Sequence, residues 1–339
     1  MPDKYKAIWL SHSSYENYIK CPRLYYLANI YKDPKTNNKV GMTSPYMSLG
    51  IAVHNVLEPL MEIKAEERGA INLPEKYTDE FNKFRGSIGG WKNEEEEESF
   101  YQRGLEMIES VQKHFAPSPL GGESWGEGLE LVEENKYILL EKSIRPSLYY
   151  KGNMIPNIYI SEKENIILCG SIDWIVYSPS LGEGVGGWDV TVLDFKTGRN
   201  EESEESKQLI IYKKLFESLQ NKWKVNSYAY YYLESDQIKY KDWTETEVNR
   251  RVEQMLNNFI NIGVEIRDAR YDILWSKDKK YIEKYFIKDN FQNNFKCKNG
   301  AKGCRNCLPY EAIIRGEAVY VGQGNYGQDL WSPSPGGRG

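Results

Sequence analysis

The sequence predicts an α/β fold with a mixed central β-sheet flanked by helices. Three observations predict it. Apolar residues recur at helical spacing towards both ends of the chain. Between those regions lie short runs rich in Ile, Leu, Val and Tyr, the composition of strands. The chain has 339 residues, 40% hydrophobic and 27% charged, enough to bury a large core and too apolar for a disordered chain. No run approaches the roughly 18 apolar residues that span a bilayer. The charged N-terminal residues are followed by no apolar signal core. A cytoplasmic protein with no membrane partner is therefore expected.

The elements follow in order. Ser11, Ser13 or Ser14 can cap a helix carrying Tyr15, Tyr18 and Ile19, then Leu24, Tyr25 and Leu27, with an interruption at Pro22. A second helix is predicted from about Ser48 to Arg68, with Ile51, Val53, Val56, Leu57, Leu60 and Met61 near helical spacing and Gly69 as its stop. A third covers Phe100 to His114. Strands are predicted at Lys136 to Ile144, Ile158 to Ser161, Ile166 to Tyr177 and Val190 to Phe195, with a turn at Glu164-Asn165. Helix returns from about Ser203 to Leu219. Val225 to Leu233 is a strand whose Tyr228, Tyr230, Tyr231 and Tyr232 pack a sheet. Glu245 to Arg270 is a long helix with Val248, Val252, Met255, Leu256, Phe259 and Ile260 on one stripe. Pro- and Gly-rich stretches at about 117–128 and 178–188 read as inserted loops, and 321–339 as a flexible tail. The rest, 1–320, is expected to form a single domain.

The formal net charge is −5, from 44 Lys+Arg and 49 Asp+Glu. Two runs hold much of the acid: Glu94 to Glu98, and Glu201, Glu202, Glu204 and Glu205. Such blocks repel themselves and read as solvated loops or helix ends without function. With them set apart, basic residues outnumber acidic ones. The net charge therefore does not exclude a polyanionic partner.

Chemistry concentrates in Gly170-Ser171-Ile172-Asp173 and in Leu193-Asp194-Phe195-Lys196-Thr197-Gly198. Side chains alternate along a strand, so Asp194 and Lys196 share a face and Phe195 takes the other. Two charged groups in an apolar strand are costly without a partner. Asp173 ends the neighbouring predicted strand, so two carboxylates and an ammonium can converge. This strand alone leaves two readings open: a buried Asp194–Lys196 salt bridge, or an oxygen-ligand site for Mg²⁺ or Mn²⁺ with a lysine beside an attacking water. Upstream, His54 and Glu58 lie four apart on one helix face, as do Gln208 and Tyr212 downstream.

Taken together, Gly50-x-x-x-His54-x-x-Leu57-Glu58, Gly170-x-x-Asp173, Asp194-x-Lys196-Thr197-Gly198 and Gln208-Leu209-x-x-Tyr212, in this order, resemble the RecB-like branch of the PD-(D/E)XK nuclease superfamily. The resemblance implies a restriction-endonuclease-like core. It implies that His54, Asp173, Asp194 and the Phe195 carbonyl hold the catalytic metal, Mg²⁺ or Mn²⁺. Lys196 would position or deprotonate the water and stabilise transition-state charge. Gln208 and Tyr212 would support Lys196 and the DNA backbone. Glu58 would either support the site from behind or approach a second metal.

Five cysteines, an odd number, argue against a disulfide framework. Cys297, Cys304 and Cys307 cluster near the end, with the last two at metal-ligand spacing. Cys21 or Cys169 must supply a fourth thiolate, and Cys169 reads as a small buried strand residue. The stretch from Ser13-Ser14-Tyr15 through Tyr18 and Cys21-Pro22 to Tyr25 resembles the N-terminal signature of iron–sulfur nucleases of this branch. These include the AddB nuclease domain and the CRISPR-associated RecB-like exonucleases. That resemblance implies a 4Fe–4S cluster on Cys21, Cys297, Cys304 and Cys307 that joins the N- and C-terminal segments. Here the longer gap precedes the shorter, the reverse of the familiar order, so zinc stays open as the occupant.

The implied activity is metal-dependent DNA hydrolysis, as an exonuclease acting on ends or single strands in DNA repair, recombination or CRISPR adaptation. The sequence has no Gly-x-x-x-x-Gly-Lys-[Ser/Thr] loop, so a helicase, a recombination factor or a CRISPR adaptation complex is the kind of partner expected. The rival is a catalytically silent iron–sulfur scaffold that binds DNA within a nuclease/helicase complex. The presence of His54, Asp173, Asp194 and Lys196 together speaks against it.

Overall fold

A computed structural model describes residues 7–33, 39–63, 67, 69–115, 149–150, 153–154, 157–177, 188–203, 206–219, 223–274 and 295–316. The elements, in chain order, are β1 (Ile8–Leu10), α1 (His12–Lys20), α2 (Pro22–Tyr25, continued by a π-turn over Tyr26–Ile30), α3 (Pro45–Leu57), α4 (Leu73–Asn82), α5 (Glu94–Phe115), β2 (Tyr149–Tyr150) and β3 (Asn153–Met154). They continue with β4 (Asn157–Ser161), β5 (Ile166–Cys169), β6 (Trp174–Tyr177), β7 (Trp188–Lys196), α6 (Gln208–Leu219), β8 (Trp223–Tyr232), β9 (Gln237–Tyr240), α7 (Glu245–Leu274) and α8 (Leu308–Ile314). Mixed sheets flanked by helices are what a restriction-endonuclease-like core requires. The predicted strand Lys136 to Ile144, the stretches 117–128 and 178–187, and the tail 321–339 lie outside the described residues.

Backbone contacts divide the chain into two compact units. One comprises residues 1–43, 157–169 and 251–339, and the other 44–156 and 170–250. In the first, β5 is central, parallel to β1 and antiparallel to β4. The β4–β5 turn falls at Asn165, which adopts a positive φ of 57°, a conformation Asn tolerates better than most residues. Tyr15 of α1 stacks on Phe259 of α7, with ring centroids 4.3 Å apart. Gly263 of α7 faces Ile166 so closely that a Cβ would come within 2.6 Å of it.

The second unit holds a four-stranded sheet in the order β6-β7-β8-β9. β7 and β8 are parallel, and β6 and β9 are antiparallel to their neighbours. Parallel neighbours need a crossover, and α6 supplies it. Val190, Val192, Leu193 and Phe195 of β7 are buried, as are Tyr228, Tyr230, Tyr231 and Tyr232 of β8, so the tyrosines pack the sheet as expected. Ser44 caps α3, its Oγ accepting from the Met47 amide at 3.2 Å, with Pro45 in the first turn. Tyr77 of α4 is fully buried and donates to the Tyr101 carbonyl of α5 at 3.2 Å.

Several boundaries differ from the sequence-based expectation. Ile166 to Tyr177 is two strands in two sheets, broken at Gly170–Asp173. Asp173 therefore precedes β6 instead of ending a continuous strand. A Cβ at Gly170 would stand 3.3 Å from a Leu215 methyl, so the backbone passes close to α6 at the break. The helix expected from Ser48 starts at Pro45 and leaves α-geometry after Leu57, continuing as a 3₁₀ turn over Glu58–Glu62. The helix expected from Phe100 starts at Glu94, where its glutamates face the positive end of the helix dipole. The helix expected from Ser203 starts at Gln208.

Candidate active site and four-cysteine cluster

The candidate active site lies in the second unit, where the end of α3 meets the starts and ends of the central strands. Trp174, fully buried at the start of β6, donates its indole N–H to the Leu57 carbonyl at 2.8 Å. That bond fixes the strand start to the helix end and draws Asp173 towards His54 and Glu58. One ligand atom from each of His54, Glu58 and Asp173 lies within 4.8 Å of the others. His54 Nδ1 is 2.9 Å from Glu58 Oε1 and 3.5 Å from Asp173 Oδ1. Ser171 donates to the second Glu58 oxygen at 3.1 Å. Asp173 Oδ2 accepts from the Phe195 amide at 2.7 Å, locking that carboxylate to β7. Phe195 turns its ring to the other side, edge-on to Trp174 and His54. Burial disfavours a charged His54 ring, but Asp173 and Glu58 outweigh it and hold its pKa well above the ordinary histidine value.

Asp194 stands outside that trio, beside Lys196. It is fully buried, and neither carboxylate oxygen accepts an aligned hydrogen bond. Its Oδ2 is 2.8 Å from Lys196 Nζ, an ion pair whose direction does not make a hydrogen bond. Burial and the charge of Asp173 push its pKa above the ordinary carboxylate range, against the opposing pull of Lys196. A buried carboxylate whose hydrogen-bonding capacity is not filled suits a cation. Lys196 Nζ donates to Gln208 Oε1 at 3.0 Å, and Gln208 Nε2 donates to the Tyr212 hydroxyl at 2.9 Å. Gln208 and Tyr212 lie one turn apart at the start of α6, so the helix aims both at β7. Lys196 remains charged: burial opposes the ammonium, and Asp194 and Glu202 more than compensate.

The PD-(D/E)XK nuclease superfamily model matches residues 9–313. The chain belongs to this superfamily. No curated protein matches it closely enough to count as a relative. PD-(D/E)XK nucleases hydrolyse phosphodiester bonds with divalent metals, and in this member the carboxylates, the imidazole and the lysine that fit that chemistry stand within one site.

This PD-(D/E)XK chain carries a second cluster, in its other unit. Cys21, Cys297, Cys304 and Cys307 are buried, with their sulfurs within 4.8 Å of one another. Cys307 Sγ lies 3.6 Å from Cys304 Sγ and 3.7 Å from Cys297 Sγ. Backbone amides point at two sulfurs, Asn299 at Cys297 (3.4 Å) and Cys304 at Cys307 (3.2 Å). The Cys307 thiol favours a thiolate at Cys21, lowering its pKa, while the same contact raises that of Cys307. Gly303, at φ 75°, turns the chain between the ligands, and a Cβ there would strike Leu308 at 2.7 Å. Arg23 of α2 pairs with Glu311 of α8 at 3.0 Å, a second tie between the segments that carry Cys21 and Cys307. Cys169, in β5, is outside the cluster, and burial pushes its thiol up to about 12.

Sequence reasoning missed three residues around the nuclease site. Glu202, read as part of a solvated run, is 3.1 Å from Lys196 Nζ. Ser171, quoted only as a spacer, holds Glu58. Arg103 of α5 donates to the Thr197 carbonyl at 2.6 Å, steadying the chain just after Lys196. The only sequence signal for Glu202 is its place six residues after Lys196; Ser171 and Arg103 carry none.

Proposed function

We propose that the protein is a metal-dependent DNA nuclease acting on DNA ends or single strands. The observation that carries this reading is the placing of Asp194, buried and with no aligned hydrogen bond to either oxygen, against Lys196, which is aimed by Gln208 and Tyr212. A salt bridge built for stability alone would fill the carboxylate's hydrogen bonds and would need no Gln208–Tyr212 chain behind the lysine.

In this reading Asp173, Asp194, His54 and the Phe195 carbonyl hold the cation, with Glu58 orienting His54. When bound, a divalent cation there neutralises phosphate charge and lowers the pKa of a nearby water. Asp173 is fixed by the Phe195 amide, so the carboxylates are set before substrate arrives. Lys196 places positive charge where the phosphate oxygens gain negative charge. Water attacks phosphorus, the ester P–O bond breaks, and the products carry a phosphate and a hydroxyl.

Digestion of end-labelled single- and double-stranded DNA with Mg²⁺ or Mn²⁺ tests the reading. Asp194→Ala and Lys196→Ala are each expected to lose at least about 10²-fold in rate. Equal rates in all three proteins would assign the cleavage to a contaminant, and no cleavage by any would favour the silent scaffold.

For the four thiolates we propose a 4Fe–4S cluster, supported by the likeness of Ser13 to Tyr25 to the iron–sulfur nucleases. A second reading, a single zinc ion, is supported by the 3.6 and 3.7 Å sulfur separations. Tetrahedral Zn–S bonds of about 2.3 Å set sulfurs about 3.8 Å apart.

A further inference from the structure

An ammonium has three N–H groups to give, and three acceptors surround that of Lys196. Asp194 Oδ2 lies at 2.8 Å, Gln208 Oε1 at 3.0 Å and Glu202 Oε1 at 3.1 Å. The Tyr230 ring covers another side, its centroid 5.1 Å away. Three oxygens within 3.1 Å enclose this ammonium, so a substrate phosphate can reach it only if one of them yields. Asp194 is buried beneath it and Gln208 is anchored on α6. Glu202 is the partner on a loop, its side chain 34% exposed.

The residue before it repeats the arrangement. Glu201, 67% exposed, pairs with Lys239 of β9, and Lys239 in turn lies over the Tyr232 ring. The Glu202 amide donates to the Tyr232 hydroxyl at 2.9 Å, which holds this acidic pair against the sheet end. Two successive carboxylates thus cover two lysines, one of which also pairs with Asp194. The Glu201–Lys239 pair is exposed, and ion pairs of that sort contribute little to stability.

We propose that Lys196 and Lys239 form a binding track for successive phosphates of a DNA strand, and that Glu201 and Glu202 occupy it until the strand displaces them. The inference rests on the nuclease reading and locates the substrate backbone within that site. Its consequence is thermodynamic. A phosphate that replaces a carboxylate on a lysine sheds a counterion, while the released carboxylate takes one up. Binding by the natural protein is therefore less dependent on salt than its lysines alone would make it.

The test is binding of a labelled single-stranded oligonucleotide in EDTA, where nothing is cut, over a range of salt concentrations. The double variant Glu201→Gln/Glu202→Gln is expected to bind more tightly. Its plot of log K against log salt should be steeper by about 0.7 per glutamate removed. Adding Lys239→Gln should take back about half of that increase. Glu201→Gln alone should show about half the effect, and this exposed position keeps the test available if the double variant folds poorly. An unchanged slope, weaker binding, or no binding by any of the proteins overturns the proposal. Binding without cleavage when Mg²⁺ is supplied would reject the nuclease reading and leave the track standing. Cleavage with an unchanged slope would do the reverse.

Discussion

Glu58 shows how much one residue's role depends on what it touches. One of its oxygens faces His54 Nδ1 and the other accepts from Ser171, so it fixes the imidazole whether or not it also reaches a cation. Partners that orient a metal-binding histidine typically govern affinity by 10–100-fold. Glu58→Gln is accordingly expected to weaken Mn²⁺ binding by about 10–100-fold in calorimetric titration. Unaltered affinity would assign Glu58 to helix packing. At this scale the sequence is informative where residue types are unusual for their setting. Asp194 and Lys196 on an apolar strand, and His54 and Glu58 one helical turn apart, stand out before any coordinates exist. Glu202 does not, because a glutamate among glutamates is ordinary until a lysine is found 3.1 Å from it.

At the scale of elements, periodicity identifies helices and strands well but places their ends poorly. The stretch from Ile166 to Tyr177 is apolar at both ends, and the strand breaks at the Gly170, Ser171 and Asp173 that interrupt it, with Gly170 close to Leu215 of α6. The contact with α6 is not legible in the local pattern. The start of α5 is obscured for a different reason: successive glutamates are poor company in a coil, but four of them are favourable in a first helical turn. The α4–α5 contact offers a direct check on packing. Gly104 of α5 lies against Tyr77 so closely that a Cβ would come within 2.0 Å of its hydroxyl and 2.6 Å of a Leu49 methyl. Both neighbours are fully buried and have nowhere to go. Gly104→Ala is therefore expected to destabilise the protein by about 1–3 kcal/mol despite alanine's better helix propensity. Denaturant unfolding that showed a gain in stability would mean that α4 and α5 separate at little cost.

Across the whole molecule, the four-cysteine cluster ties together segments nearly as far apart in sequence as the described chain allows. The members of this tie are legible: Cys304 and Cys307 have metal-ligand spacing, the resemblance around Cys21 adds the early cysteine and leaves Cys169 out, and the structure brings those four sulfurs together. Closing so long a loop removes much unfolded-state entropy, on the order of 5 kcal/mol by the chain-entropy relation. Protein purified without oxygen is expected to carry iron and absorb broadly near about 400 nm. The zinc reading predicts one zinc and no colour. Under either reading, stripping the group should lower Tm by at least about 10 °C; an unchanged Tm would show that the thiols pack as ordinary core residues. No helix among the described residues is long and apolar enough to cross a membrane.

The distance between Cys21 and Cys297 along the chain also sets a timetable. A ribosome adding about 5–20 residues per second produces the 276 intervening peptide steps in roughly 15–55 seconds. Throughout that interval the first thiol has none of its partners. The nascent chain therefore carries its earliest cysteine as a lone, oxidisable sulfur until Cys297 is added. Maturation of this protein is then a race between the segment from Cys297 to Cys307 and whatever oxidant reaches Cys21 first.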